Sequence, residues 1–199
     1  IPYGKGGDAD ASVLAELMPA PPVPCPPKAF EGLAPIPRYE SLIGCTPTVD
    51  LSSLLPAAVA AKGVQLVGKC EFLNPGFSMK DRIVRQILDD AEERGLLQQG
   101  GTLVAASSGN TGASCAMVAA MRGFHAVIVT NSKCSAEKCA SIQAYGAELI
   151  VVDAGVDYMA HANDLAKEHG WFDVNQYENH QNSKAHELTL GPQLWEQTS

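Results

Sequence analysis

The sequence holds no apolar run as long as the ~18 residues that a membrane-spanning helix needs. No transmembrane segment is therefore expected. Positive charge is also scarce. Fourteen Lys and Arg stand against 22 Asp and Glu, giving a net charge of -8 and a pI near 5.0. That balance disfavours a nucleic-acid or anionic-membrane partner. No C-x-x-C pair occurs among the six cysteines at 25, 45, 70, 115, 134 and 139. Cys134 and Cys139 are five apart, a poor zinc spacing, and His125, His161, His169 and His180 form no metal motif. No metal site is expected, and scattered thiols fit a reducing compartment, the cytoplasm or an organelle interior. No internal repeat is present.

What is present fits a globular chain. Apolar residues make up 46% and charged residues 18% of 199 residues, enough for one domain or a domain and a half. The sequence opens on Ile1 rather than Met, so a preceding segment is expected. Residues 1–38 carry nine of the 13 prolines and read as an extended Pro-rich arm, with a short helix at Ala11 to Met18. Gly44 marks a turn, and Pro47 fixes a bend after it. Val64 to Phe72 reads as a strand. Apolar runs at Thr102–Ala106, His125–Thr130 and Glu148–Asp153 alternate with helical patterns at Thr111–Arg122, Ala136–Tyr145 and Val156–His169. Unbroken apolar strands alternating with helices imply an α/β fold with a parallel sheet flanked by helices. Ligands then bind at the carboxyl rim of the strands.

The stretch Asn74 to Arg82, NPGFSMKDR, organises the chain. A Pro-Gly turn delivers Lys80 to the start of a helix. Ile83, Val84, Ile87, Leu88 and Ala91 form its apolar stripe, and Gly95 stops it. Asp81, Arg85, Asp89, Asp90, Glu92, Glu93 and Arg94 are expected largely on the opposite face. A cation at a helix N-terminus is disfavoured by the dipole, so such an amine can lose its proton and form a Schiff base. The competing reading is a solvated helix-start lysine. Ser107–Gly112, SSGNTG, follows a strand and opens a helix, so its amides and hydroxyls suit an anion. An ordinary turn capped by Ser and Asn is the other reading. Gln176 follows the last hydrophobic segment, WFDVNQ, and is either a ligand contact or a polar strand-end residue.

Three motifs in order carry a resemblance: KCEFLNPGFSMKDR at 69–82, SSGNTG at 107–112, and QYEN at 176–179 with His186 and GPQLWEQT at 191–198 behind it. From about Tyr39 to its end the chain resembles the fold-type II pyridoxal-phosphate enzymes, cysteine synthase and cystathionine β-synthase above all. The resemblance implies a tryptophan synthase β-like architecture. Lys80 would be the residue bonded to pyridoxal 5'-phosphate, and Asn110 would contact the cofactor oxygen. Ser107, Ser108, Gly109, Thr111 and Gln176 would hold the substrate carboxylate. Tyr177 would wall the pocket, and His186 receives no proton role. Cys45 replaces a common Asn. Thr111 stands where dehydratases usually have His, and Met79 where tryptophan synthase β chains have His. The implied reaction is β-replacement on an activated serine, O-acetylserine plus sulfide giving cysteine, with a homodimer or larger complex as the assembly.

The resemblance divides the chain into the arm, an α/β domain at 39–187, and the start of a second, cofactor-phosphate domain at 188–199. No glycine-rich phosphate cup and no Ser or Thr facing the pyridine nitrogen is recognised. The alternative is a truncated, non-catalytic subunit with a structural or regulatory role in a larger assembly.

Overall fold

The computed structural model describes residues 38–199. The Pro-rich arm, save its last residue, and the helix expected at Ala11 to Met18 lie outside the described residues. Two small strands, β1 (Thr48–Asp50) and β2 (Val67–Lys69), pair antiparallel, with Thr48 opposite Lys69. Between them lies one helical turn, α1 (Ala57–Ala60). Beyond them come α2 (Lys80–Glu93), β3 (Thr102–Ala106), α3 (Asn110–Arg122), β4 (His125–Asn131), α4 (Ala136–Ala144), β5 (Glu148–Val152), α5 (Tyr158–His169) and β6 (Phe172–Asp173). The chain closes with α6 (Gln181–Ala185), a π-helical segment (His186–Leu190) and α7 (Gly191–Thr198).

Strands β3 to β6 form one parallel sheet in the order β5-β4-β3-β6. Side chains alternate across it. Leu103 and Ala105 on β3, with Ala126 and Ile128 on β4, face one core shared with Ile83, Ile87, Met117 and Ile142. Val104, Val127 and Val129 face a second core closed by Ala162 and Ala166 of α5. The sheet is thus covered on both faces, which is why its strands read as continuous apolar runs. The strand order reverses at β3: the chain moves outward through β4 and β5, then α5 carries it back to β6. In open parallel sheets that reversal opens a crevice at the carboxyl ends.

The expected stripe of α2 is buried: Ile83, Val84, Ile87, Leu88 and Ala91 are all fully enclosed. Arg94 caps the helix, and Gly95 leaves it at φ +69°, the left-handed turn that L side chains resist. Three expectations need correction. The strand read over Val64 to Phe72 is confined to Val67–Lys69 and stands outside the parallel sheet. Most of that run is not buried (Val64, Leu66 and Val67 stay exposed, and only Cys70 is enclosed), and the chain turns into a 3-10 helix at Glu71. Asp81 lies inside rather than on the polar face, because Gly76 N–H and the Ser114 hydroxyl both donate to its carboxylate, each at 2.5 Å. The bend after Pro47 continues into β1, a strand with no counterpart in the sequence reading.

Candidate functional site

Asn74 fixes the loop that leads to Lys80. Its Oδ1 accepts from Gly44 N–H at 2.7 Å, and its Nδ2 donates to Glu71 at 2.8 Å. Phe77 N–H closes a turn onto the Asn74 carbonyl at 2.8 Å, with Phe77 itself at φ +62°. Ser78 Oγ then accepts from Lys80 N–H at 3.2 Å and starts α2. Lys80 is half-buried, and its amine makes no hydrogen bond or ion pair among the described residues. Behind it, buried Asp81 and Arg82 anchor the first turn. Burial raises the Asp81 pKa, against the hydrogen bonds from Ser114 and Gly76. The His186 ring is held below its usual pKa by burial and then by the positive charges of Lys80 and Arg82. His186 Nδ1 is buried without a partner among the described residues. It lies in the π-helical segment, a departure frequent at functional sites.

The Ser107–Gly112 loop lies on the carboxyl end of β3. Ser107 Oγ points inward, accepting from Gly112 N–H at 2.9 Å and Gly109 N–H at 3.2 Å. It shapes the loop, so its hydroxyl is already engaged. The amides of Ser108, Asn110 and Thr111 have no acceptor among the described residues and sit at the positive end of α3. Gly112 must be small: a Cβ there would lie 2.9 Å from Ile128 and 3.3 Å from Ile142.

Gln176 follows β6 across the crevice. The buried Thr111 hydroxyl donates to Gln176 Oε1 at 2.6 Å, and Gln176 Nε2 donates to the Ala106 carbonyl at 3.2 Å. The fold therefore joins two of the sequence candidates directly. Beside them opens a cleft of about 420 Å³, lined by Thr111, Asn163, Asp173, Gln176, Tyr177 and Glu178 among others. Lys80 and Asn110 do not line it. A roomier cavity of about 860 Å³ surrounds Arg122 at the opposite end of α3, and contains none of the candidates. Sequence reading missed Ser114, the Asp81 partner, and Glu71, which binds Arg82; neither polar residue has a periodic signature. Among the described residues no cluster suited to a metal ion occurs.

Residues 39–199 match the family described as pyridoxal-phosphate dependent enzyme. A cysteine synthase of Staphylococcus aureus (strain Mu50) is 38% identical over 166 residues, 82% of this chain and 52% of that protein. A cystathionine beta-synthase of Apis mellifera is 38% identical over 169 residues, 81% of this chain and 33% of that protein. The crystal structure of O-ureido-L-serine synthase superposes with a TM-score of 0.74 at 34% identity, covering 81% of this chain and 50% of that one. A hydrogen sulfide-producing enzyme from Fusobacterium nucleatum gives 0.72 at 30% identity, over 83% and 54%. The chain spans about half the length of the cysteine synthase it matches. Its parallel sheet, its motifs and these likenesses agree: the chain belongs to the family of pyridoxal-phosphate dependent enzymes, with the fold-type II architecture.

Proposed function

We propose that this chain carries the lysine and the substrate-carboxylate loop of a β-replacement enzyme that acts on an activated serine, O-acetylserine, with sulfide as the incoming nucleophile. The observation that carries the reading is the crevice at β3. Thr111 there carries both a hydroxyl bonded to Gln176 and, like Ser108 and Asn110, an amide with no acceptor among the described residues, and such a helix N-terminus suits an anion. The residues present fit pyridoxal 5'-phosphate at two points: the Lys80 amine, without a partner among the described residues, would hold it covalently, and Asn110 would give one polar contact. When bound, that cofactor supplies the electron sink for a carbanion at the substrate α-carbon.

The chain's own groups do the rest. The loop amides, with Thr111 and Gln176, orient the substrate carboxylate, Gln176 turning from Thr111 to the ligand. Lys80 Nζ, freed when the substrate amine takes its place on the cofactor, would take the α-proton. Residues 188–199 lead into a second domain that would supply the phosphate contacts, and the working assembly is a homodimer or a larger complex. Borohydride reduction of the protein loaded with cofactor, followed by peptide mapping, tests the assignment. A phosphopyridoxyl group on Lys80 is expected; one on another lysine overturns it.

A second reading, a non-catalytic subunit within a larger assembly, is favoured by the exposure of Phe72, Leu73, Leu188 and Trp195, the last at 78%. Failure to take up cofactor together with stable association with a partner protein would select it.

A further inference from the structure

The turn between β4 and α4 brings two cysteines to paired positions around a helix cap. Cys134 N–H donates to the Asn131 carbonyl at 3.0 Å, and Asn131 Oδ1 accepts from Lys133 N–H at 3.0 Å. Ser135 is the N-cap of α4: its Oγ accepts from Lys138 N–H at 3.4 Å. Cys139 N–H closes the first helical bond on the Ser135 carbonyl at 3.0 Å. In such a cap the residue just before it and the fourth residue after it come together, usually as a pair of apolar side chains. Here those residues are Cys134 and Cys139. The neighbouring Cys134 side chain raises the Cys139 thiol above its usual pKa. Both are half-buried, and neither is in a disulfide. The same helical turn abuts the Ser107–Gly112 loop: Lys138 Nζ is 3.6 Å from where a Cβ on Gly109 would stand.

We propose that Cys134 and Cys139 form a dithiol modification site, closed reversibly to an intramolecular disulfide by a small-molecule disulfide of the glutathione class. One thiolate attacks glutathione disulfide and expels one glutathione. The second then attacks the mixed disulfide and expels the other, so two thiols are oxidised, two glutathiones are formed, and both protons pass to the products. The cap geometry favours closure over a lingering mixed disulfide because it holds the resolving thiol at the paired position. Oxidation would link the start of α4 to the loop before it, next to the Ser107–Gly112 loop. This inference is independent of the proposed β-replacement reaction.

The test uses the 199-residue chain in its native state, titrated with glutathione disulfide until exposed Cys45 carries glutathione. Remaining thiols are alkylated after denaturation. Trypsin cuts after Lys138, between the two cysteines, so an intact disulfide joins two peptides with the loss of two hydrogens. That linked pair, released by dithiothreitol, is expected. Cys115, fully buried and pushed up to about 12, should still be a free thiol. In Cys139→Ser the glutathione should remain on Cys134. Separate glutathione adducts on Cys134 and Cys139, no reaction of either while Cys45 is modified, or a bridge from either to another cysteine would overturn the proposal.

Discussion

Replacing Arg82 with Met should destabilise the chain by an amount that depends on pH. The Arg82 side chain has no solvent exposure and ties four segments together. Nε and Nη2 each donate to Glu71 at 2.8 Å. Nη2 also reaches the Gly44 carbonyl at 3.2 Å, Thr46 Oγ1 at 3.0 Å and Gln193 Oε1 at 2.8 Å. Breaking a buried ion pair by removing one partner costs ~3–5 kcal/mol. Nη1, buried without a partner among the described residues, already costs part of the ~1–3 kcal/mol typical of an unsatisfied group, and the substitution relieves that. A net loss of about 2–4 kcal/mol is therefore expected from urea unfolding at neutral pH. Burial pushes Glu71 upward, but hydrogen bonds from Arg82, Thr46 and Asn74 outweigh it and hold the carboxyl at about 2 instead of 4.5. A depressed carboxylate stabilises the fold above its unfolded value. That contribution fades as pH falls from about 4.5 towards 2. The gap between parent and variant should shrink over the same window. Adding Glu71→Gln should recover much of the loss, since no unpaired charge then remains. A loss under ~1 kcal/mol, or one that is flat with pH, would refute the idea that this pair locks α2 to the opening segment.

Ser114→Ala should cost ~1.5–3 kcal/mol, because it removes a buried hydrogen bond to a carboxylate. Burial already raises Asp81 above its usual 3.8, so its ionisation opposes folding as pH rises through that shifted value, and the Ser114→Ala penalty should be larger at neutral pH than in acid; a pH-series of urea melts checks both. Thr111→Ala should lose ~1–3 kcal/mol by leaving Gln176 Oε1 unpaired, and Thr111→Ser should lose less. In spectral titrations of cofactor-loaded protein with O-acetylserine, Thr111→Ala should weaken binding, and unchanged affinity would count against the loop's role. Phe77→Gly relieves a left-handed residue worth ~1–2 kcal/mol while the freer unfolded chain takes back ~0.5–1. Phe77 is 75% exposed, so little packing is lost. Thermal melting should show unchanged or slightly raised stability, and a marked drop would mean that the ring is needed.

Local patterns decided much of this protein before any tertiary contact was known. The three apolar runs that became β3, β4 and β5, the helices between them and the stripe on α2 all follow from side-chain periods of two and 3.6 residues, which are properties of a segment by itself. The loop SSGNTG and the lysine at the head of α2 were legible for the same reason: a turn and a helix start are written in adjacent residues. The short pair β1 and β2 was not legible, because neither strand has a buried face to impose alternation. Nor was the fate of the polar residues. Asp81 and Arg82 sit beside the stripe, and only the arrival of Ser114, Glu71 and Gln193 makes burying them tolerable. Thr111 and Gln176 are 65 residues apart, and they meet because the strand order reverses at β3. A charge or amide can be buried only where distant partners complete its hydrogen bonds, and the position of those partners is set by how the sheet is wound.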